Sequence, residues 1–364
     1  MNVRPFKGCY TALVTPMIKE RSSPGSGFST GPQMDYEGLE KLVNFQAENG
    51  VGGILAVGTS GESPTLSWED HIKVIEAISH WNRKRSITIA GVGSNSTEET
   101  KTTMTHIRGM GLDVEAILLV DPYYNGPSSL EIAKEYVRPI AEEFREYQVI
   151  PYVIPGRTGT KLLPHDLALL HHEKDLGNVN AVKEATGDLD NMKLTRKFCG
   201  KDFDILSGDD DMTLKMMKDP EICASGVISV TSNVAPKAVS EMCHYALKGI
   251  NDKATALENA LKPLFEIVTV KTDEETPYGT RQVKARNPLP YKTLMNILGM
   301  PAGPCRRPLG KMTKSSFMKV LEAARKVHKN NPEIFEPVER FFDLDVGERL
   351  SDERKGDWKA LFYE

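Results

Sequence analysis

The chain has 364 residues, 40% of them hydrophobic and 26% charged, the make-up of a globular protein with one large or two small domains, which excludes a disordered or fibrous chain. Lys and Arg number 46 against 50 Asp and Glu, a net charge of -4, so no general attraction to nucleic acid or to an anionic membrane surface is encoded. Apolar runs such as 53–57 and 116–120 fall far short of the roughly 20 residues that a membrane-spanning helix needs.

In chain order, the N-terminal residues Met1 to Lys7 lack the apolar stretch of a secretory signal, which predicts a cytoplasmic protein. A first strand is predicted at 9–14, followed by a Ser/Gly/Pro-rich loop insertion at 20–33. Leu39, Leu42, Val43 and Ala47 share one face of the next helix, which stops at Gly50. Strands follow at 53–57, 87–90, 116–120, 149–153, 179–183, 203–207 and 226–230, each an apolar run closed by Gly, Pro, Ser or Thr. Between them, Ser96 with Glu99 and Ser128 with Glu131 have the spacing of helix-starting capping boxes. After 230 the pattern is wholly helical, with helices at 234–248, 252–270, 289–298 and 315–329, and then a charged, aromatic-containing tail at 331–364.

Parallel strands buried on both faces read as continuous apolar runs, and parallel pairing demands a crossover after each strand. Eight such units predict an α/β chain, a (β/α)8 TIM barrel over 1–233, with a C-terminal helical extension at 234–330 packed on it. A doubly wound sheet is the alternative architecture. Five cysteines, Cys9, Cys199, Cys223, Cys243 and Cys305, are odd in number, scattered and without a Cys-x-x-Cys pair, so they read as reduced packing residues.

In a barrel of this kind the residues closing the strands carry the chemistry. Here they are polar: Gly58-Thr59-Ser60-Gly61-Glu62-Ser63, Asp121-Pro122-Tyr123-Tyr124-Asn125, Tyr152 with Pro155-Gly156-Arg157-Thr158-Gly159, Lys183-Glu184-Ala185-Thr186-Gly187-Asp188 and Ser207-Gly208-Asp209-Asp210-Asp211. A lysine at the end of an apolar strand loses hydration, its pKa falls, and its neutral amine can attack a keto group to form a Schiff base. The competing reading of Lys183 is an ion pair with a neighbour such as Glu184. Likewise the 58–63 loop is either a cradle for a small carboxylate or a glycine turn with a serine cap. Asp209 to Asp211 read either as metal ligands or, preferably, as the start of a helix. Gly91-Val92-Gly93 lacks the third glycine of a dinucleotide fingerprint, and His171-His172 lacks the second histidine of a zincin motif.

Taken together, G-T-S-G-E-S, P-Y-Y-N, Y-x-x-P-G-R-T-G, K-E-A-T-G-D, S-G-D-D and G-V-I-S-V-T-S-N resemble the dihydrodipicolinate synthase family, within the class I pyruvate aldolases that include N-acetylneuraminate lyase. The resemblance implies a cytoplasmic lyase of lysine and diaminopimelate biosynthesis, condensing pyruvate with L-aspartate 4-semialdehyde with no cofactor or metal. An aldolase acting on a 2-keto-3-deoxy sugar acid is the alternative. It implies a Schiff base at Lys183, a proton relay of Tyr152, Thr59 and a neighbouring subunit's Tyr124, and a pyruvate carboxylate on Thr59 and Ser60. Arg157 would bind the second substrate, and the Gly208 and Ile228 backbone would shape the pocket. The resemblance further implies a homodimer or homotetramer and an L-lysine effector site at Ser63, Trp68, His71, Asn95, Glu99 and Tyr123. Ser60 stands where many members have a second threonine, and Val153 where an asparagine is common.

Overall fold

Eight strands, β1 (Gly8–Ala12), β2 (Gly53–Ala56), β3 (Ile87–Gly91), β4 (Ala116–Val120), β5 (Gln148–Val153), β6 (Ala181–Glu184), β7 (Asp204–Ser207) and β8 (Gly226–Ser229), close into a barrel in which every neighbouring pair is parallel. This computed structural model describes residues 5–18 and 31–363. The doubly wound alternative fails because β1 pairs with both β2 and β8, leaving no sheet edge. Most of the 20–33 insertion lies outside the described residues; at its borders Met17–Ile18 pairs antiparallel with Gln33–Met34.

Side chains alternate along each strand, so each contributes to two layers. Tyr10, Leu55, Ile89, Leu118, Ile150, Ala181, Leu206 and Ile228 fill the barrel interior. Their neighbours, among them Cys9, Ile54, Ala90, Ile117, Val149, Val182, Ile205 and Val227, face the helical shell. That shell includes α1 (Tyr36–Glu48), capped by Asp35, α2 (Trp68–Asn82), capped by Ser67, and α3 (Thr97–Gly109), capped by Ser96. Helices α4 (Pro164–His172) and α5 (Leu189–Cys199) follow, and His171 and His172 end α4 against the carbonyls of Val179 and Phe198.

Two expectations are corrected. The Ser128–Glu131 box forms in both directions, but the Ser96–Glu99 box forms in one only. Ser94 intervenes, since its hydroxyl donates to the Glu99 carboxylate and accepts from Ser96 N at 3.2 Å. Of the cysteines, Cys223 is exposed and does not pack.

The larger corrections lie beyond the barrel. After α6 (Pro236–Leu247) comes α7 (Asn251–Phe265), which stops before 270 because a β-hairpin follows, β9 (Thr269–Thr276) with β10 (Gly279–Arg286). The reason is legible in hindsight. Val270 and Thr272, opposite Ala285 and Val283, alternate with Lys271 and Asp273 at period two, and Pro277-Tyr278 turns the chain. The buried face of the hairpin rests on α9 (Lys314–Asn330), where the Thr272 and Ser316 hydroxyls lie 2.7 Å apart. Between them α8 (Leu289–Leu298) has the predicted bounds.

The segment after 330 is no loose tail. Ile334, Phe335, Val338, Val346, Leu350 and Trp358 are buried in the same hydrophobic cluster as the outer face of the barrel. Phe341 and Phe342 stack against Phe45 of α1 with ring centroids 5.3 and 5.1 Å apart. Its many charges sit outside, in pairs such as Arg325–Asp352 at 2.7 Å.

Candidate active site

Register brings the central pair together. Tyr152 and Lys183 are direct partners across β5 and β6, and both point into the barrel, so the lysine Nζ lies 4.1 Å from the centroid of the tyrosine ring. Lys183 is only 4% exposed, and burial lowers its pKa from 10.5 to about 8, against the opposing charges of Asp209 and Asp210. The ion-pair reading is excluded by the pleat. Glu184, one residue on, points outward, where its carboxylate accepts from Thr186 N at 2.9 Å and from Asn191 Nδ2 at 3.0 Å. Gly208 flanks the lysine, and a Cβ there would meet Lys183 Cε at 3.2 Å and Ala185 Cβ at 2.8 Å, so only glycine leaves the amine its room.

The Gly58-to-Ser63 loop serves both of its readings. The amides of Gly61, Glu62 and Ser63 close the turn onto the carbonyls of Gly58 and Thr59. Those of Thr59 and Ser60 find no acceptor among the described residues, and Thr59 lines a cavity of about 220 Å³ together with Tyr123, Tyr152, Arg157 and Gly93. Burial raises the pKa of the Tyr152 phenol, Asp209 adds to that, and Arg157 and a hydrogen bond with Thr59 oppose it. The Thr59 hydroxyl is thus hydrogen-bonded to the Tyr152 phenol. A wider groove of about 800 Å³ between α4 and residues 130–138 holds no comparable nucleophile.

Asp209 to Asp211 divide their duties. Asp210 and Asp211 begin a short helical turn, and Asp210 Oδ2 accepts from Val230 N, Thr231 N and Thr231 Oγ1, all at 3.0 Å. Asp209 makes no cap bond and lies in the electrostatic field of Lys183 and Arg157, with its pKa raised to about 6 by burial first and Asp211 next. Among the described residues no group of three His, Cys, Asp or Glu is arranged to hold a metal ion.

Two site residues, Asn287 and Arg286, escaped the sequence reading. Asn287, just past the hairpin, donates from Nδ2 to Ser60 Oγ at 3.0 Å, while its carbonyl accepts from Arg157 Nη2 at 3.0 Å. Arg286 and Asp209 both act on the charge state of Tyr152. Nothing local marks Asn287, because its partners are 130 and 227 residues away. Tyr124 is not brought to Tyr152: it is 94% exposed at a left-handed φ of 76°, outside the cavity.

The family model described as the dihydrodipicolinate synthetase family matches residues 5–326. The chain belongs to that family. It is 37% identical over 317 residues to the 4-hydroxy-tetrahydrodipicolinate synthase of Methanocaldococcus jannaschii, covering 87% of this chain and 96% of the relative. The crystal structure of dihydrodipicolinate synthase from Aquifex aeolicus superposes with a TM-score of 0.76 at 34% identity, over 91% of this chain and 100% of the other. The enzyme of this family from Cyanidioschyzon merolae, solved with lysine bound, gives a TM-score of 0.75 at 30% identity, over 88% of this chain and 98% of the other. No described helix is long and apolar enough to cross a membrane.

Of the six residues expected to bind an effector, Ser63 and Tyr123 line the cavity. Ser63 Oγ lies 3.1 Å from His71 Nε2, and the Trp68 ring is 5.0 Å from the His71 ring. Asn95 Oδ1 accepts from Tyr123 N at 2.8 Å, and Glu99 is held by Ser94. Burial lowers the His71 pKa to about 4, and its Nδ1 is buried without a partner.

Proposed function

We propose that the chain condenses pyruvate with L-aspartate 4-semialdehyde to 4-hydroxy-tetrahydrodipicolinate through a Schiff base at Lys183. The observation that carries the reading is a buried lysine amine with no carboxylate partner among the described residues, its pKa lowered to about 8, beside a tyrosine in a barrel mouth. The relatives that bear the synthase name support the same chemistry. The neutral amine attacks the keto carbon of pyruvate, water leaves, and the iminium draws off electrons as a methyl proton departs. The resulting enamine forms the carbon–carbon bond with the aldehyde. The amino group of the bound chain then attacks the iminium carbon and releases Lys183. Thr59 and Ser60 offer two amides and two hydroxyls to the pyruvate carboxylate, and Arg157 offers a fork to the second carboxylate.

Tyr124 stands in this reading as a donation to a neighbouring subunit, which its exposure favours, and the working unit is a dimer or a tetramer. The Ser63, Trp68, His71, Asn95, Glu99 and Tyr123 positions would take L-lysine as an effector where two subunits meet. Mass spectrometry after incubation with pyruvate and borohydride tests the central claim, with a reduced pyruvate adduct on Lys183 as the expected result. No adduct, or turnover of a 2-keto-3-deoxy sugar acid in place of the semialdehyde, would overturn it.

A further inference from the structure

We propose that Arg286 and Arg157 together form a two-guanidinium clamp for the carboxylate of the second substrate, which makes Arg286 a specificity-determining residue for carboxylate-bearing aldehydes over neutral sugar chains. This inference rests on the synthase reading above and goes beyond it in assigning the end of the β9–β10 hairpin to the substrate.

Arg286 closes β10, and the next residue, Asn287, bonds both Ser60 and Arg157, so the hairpin end is anchored to the site. A guanidinium is charged at any working pH and carries five N–H donors. Those of Arg286 are nearly idle. Its two Nη atoms reach the Gly156 carbonyl only at 3.4 and 3.5 Å, long for hydrogen bonds, and its buried Nε has no partner among the described residues. Among the described residues neither Arg286 nor Arg157 forms an ion pair.

Asp209 opposes the charge of Arg157 in part, but the strand that carries Arg286 adds positive charge. Lys284, two residues before Arg286 and so on the same face of the strand, has its pKa lowered by Arg286 first, then by loss of water, Lys271 and Arg157. Lys271 sits directly opposite Lys284 across the hairpin, an arrangement that destabilises a strand pair. The fold itself gains nothing from such a convergence of cations. A carboxylate arriving between Arg157 and Arg286 would meet unused donors in a fork geometry and relieve their repulsion. A sugar chain, with neutral hydroxyls, would do neither.

The test measures Arg286→Ala, Arg286→Lys and Arg286→Gln with each substrate varied in turn. For Arg286→Ala the KM for L-aspartate 4-semialdehyde should rise on the order of tenfold, the scale of one charge-assisted hydrogen bond. The KM for pyruvate and the borohydride adduct should not change, kcat should stay within about twofold, and lysine should recover more than glutamine. An unchanged semialdehyde KM, or an equal rise for pyruvate, overturns the clamp; if the alanine variant does not fold, the lysine and glutamine variants decide by the same criterion. A wild-type protein that forms no pyruvate adduct removes the synthase reading and the clamp with it, whereas a normal adduct with an unmoved KM removes the clamp alone.

Discussion

Among the described residues two lysines are buried, one at the barrel mouth and one in the seam between barrel and C-terminal helices, and their surroundings differ in kind. Lys292 on α8 is 1% exposed, and its ammonium donates to Glu62 Oε1 at 2.6 Å, to Thr15 O at 3.0 Å and to Pro304 O at 2.8 Å. Three donors meet three acceptors, and Glu62 also accepts from Arg306 N at 2.7 Å, so the loop that carries Thr59 and Ser60 is tied to the C-terminal region. Lys183 is also buried but among the described residues has no ion-pair partner, and its ammonium lies against the face of Tyr152. Burial by itself therefore does not make a lysine reactive. Burial without acceptors lowers the pKa, because the charged form then goes uncompensated and the neutral amine becomes accessible near neutral pH.

That contrast breaks most sharply at Lys183. Lys183→Ala should abolish the pyruvate adduct and reduce turnover by roughly 10³-fold or more, the scale of removing a covalent nucleophile. Its melting temperature should not fall, since no ion pair is lost; an adduct of undiminished mass yield would return Lys183 to a structural role. Lys292→Ala should do the reverse. Stripping one partner from a buried pair costs about 3–5 kcal/mol, visible as a lower urea midpoint, and Glu62→Gln combined with Lys292→Met should restore part of the loss. A neutral effect of Lys292→Ala on the midpoint would refute the seam's assignment.

Smaller effects sharpen the comparison. Arg157→Ala should raise the semialdehyde KM by about tenfold to a hundredfold while pyruvate trapping persists, because its contact is with the second substrate. The rate constant for adduct formation should climb with pH and level off above about 8, where Lys183 loses its proton. At pH 7 about a tenth of such an amine is neutral, against well under a thousandth at the ordinary value. A profile still rising steeply at pH 10 would show that the amine is not dry. Last, His71 stays neutral in the folded chain down to about pH 4, while the unfolded chain takes up a proton near 6.5. Stability present above 6.5 is thus lost as pH falls toward 4, by about 3 kcal/mol. Buried Asp209 and Glu184, both raised to about 6, act in the opposite direction over the same window, so the check is the difference between wild type and His71→Leu in melting temperature at pH 7.5 and 4.5. Equal losses in the two proteins would clear His71.

The barrel was legible because each strand is a continuous apolar run closed by polar residues, and a parallel barrel buries both faces of every strand. Lys183, Tyr152 and Arg157 stood out for the same reason, as polar groups at the ends of apolar runs. The hairpin was missed, with the helix before it carried on to 270 and 271–288 given no element, because a half-exposed strand pair carries few apolar residues; only Val270, Thr272, Val283 and Ala285 mark its inner face. The segment after 330 looked like a tail because its charges outnumber the few aromatic residues that fasten it to α1 and α9.

By itself the sequence determined the repeating strand–helix order, the barrel it implies and the chemistry closing each strand, since these depend on neighbours within a few residues. Tertiary structure alone decided which groups meet. The pleat turned Glu184 away from Lys183, the barrel register set Tyr152 beside it, and the chain's return after the hairpin placed Asn287 on Ser60 and Arg286 near Arg157. Contacts between residues more than a hundred positions apart leave no local periodicity, because they are settled by packing and by the need to satisfy buried polar groups.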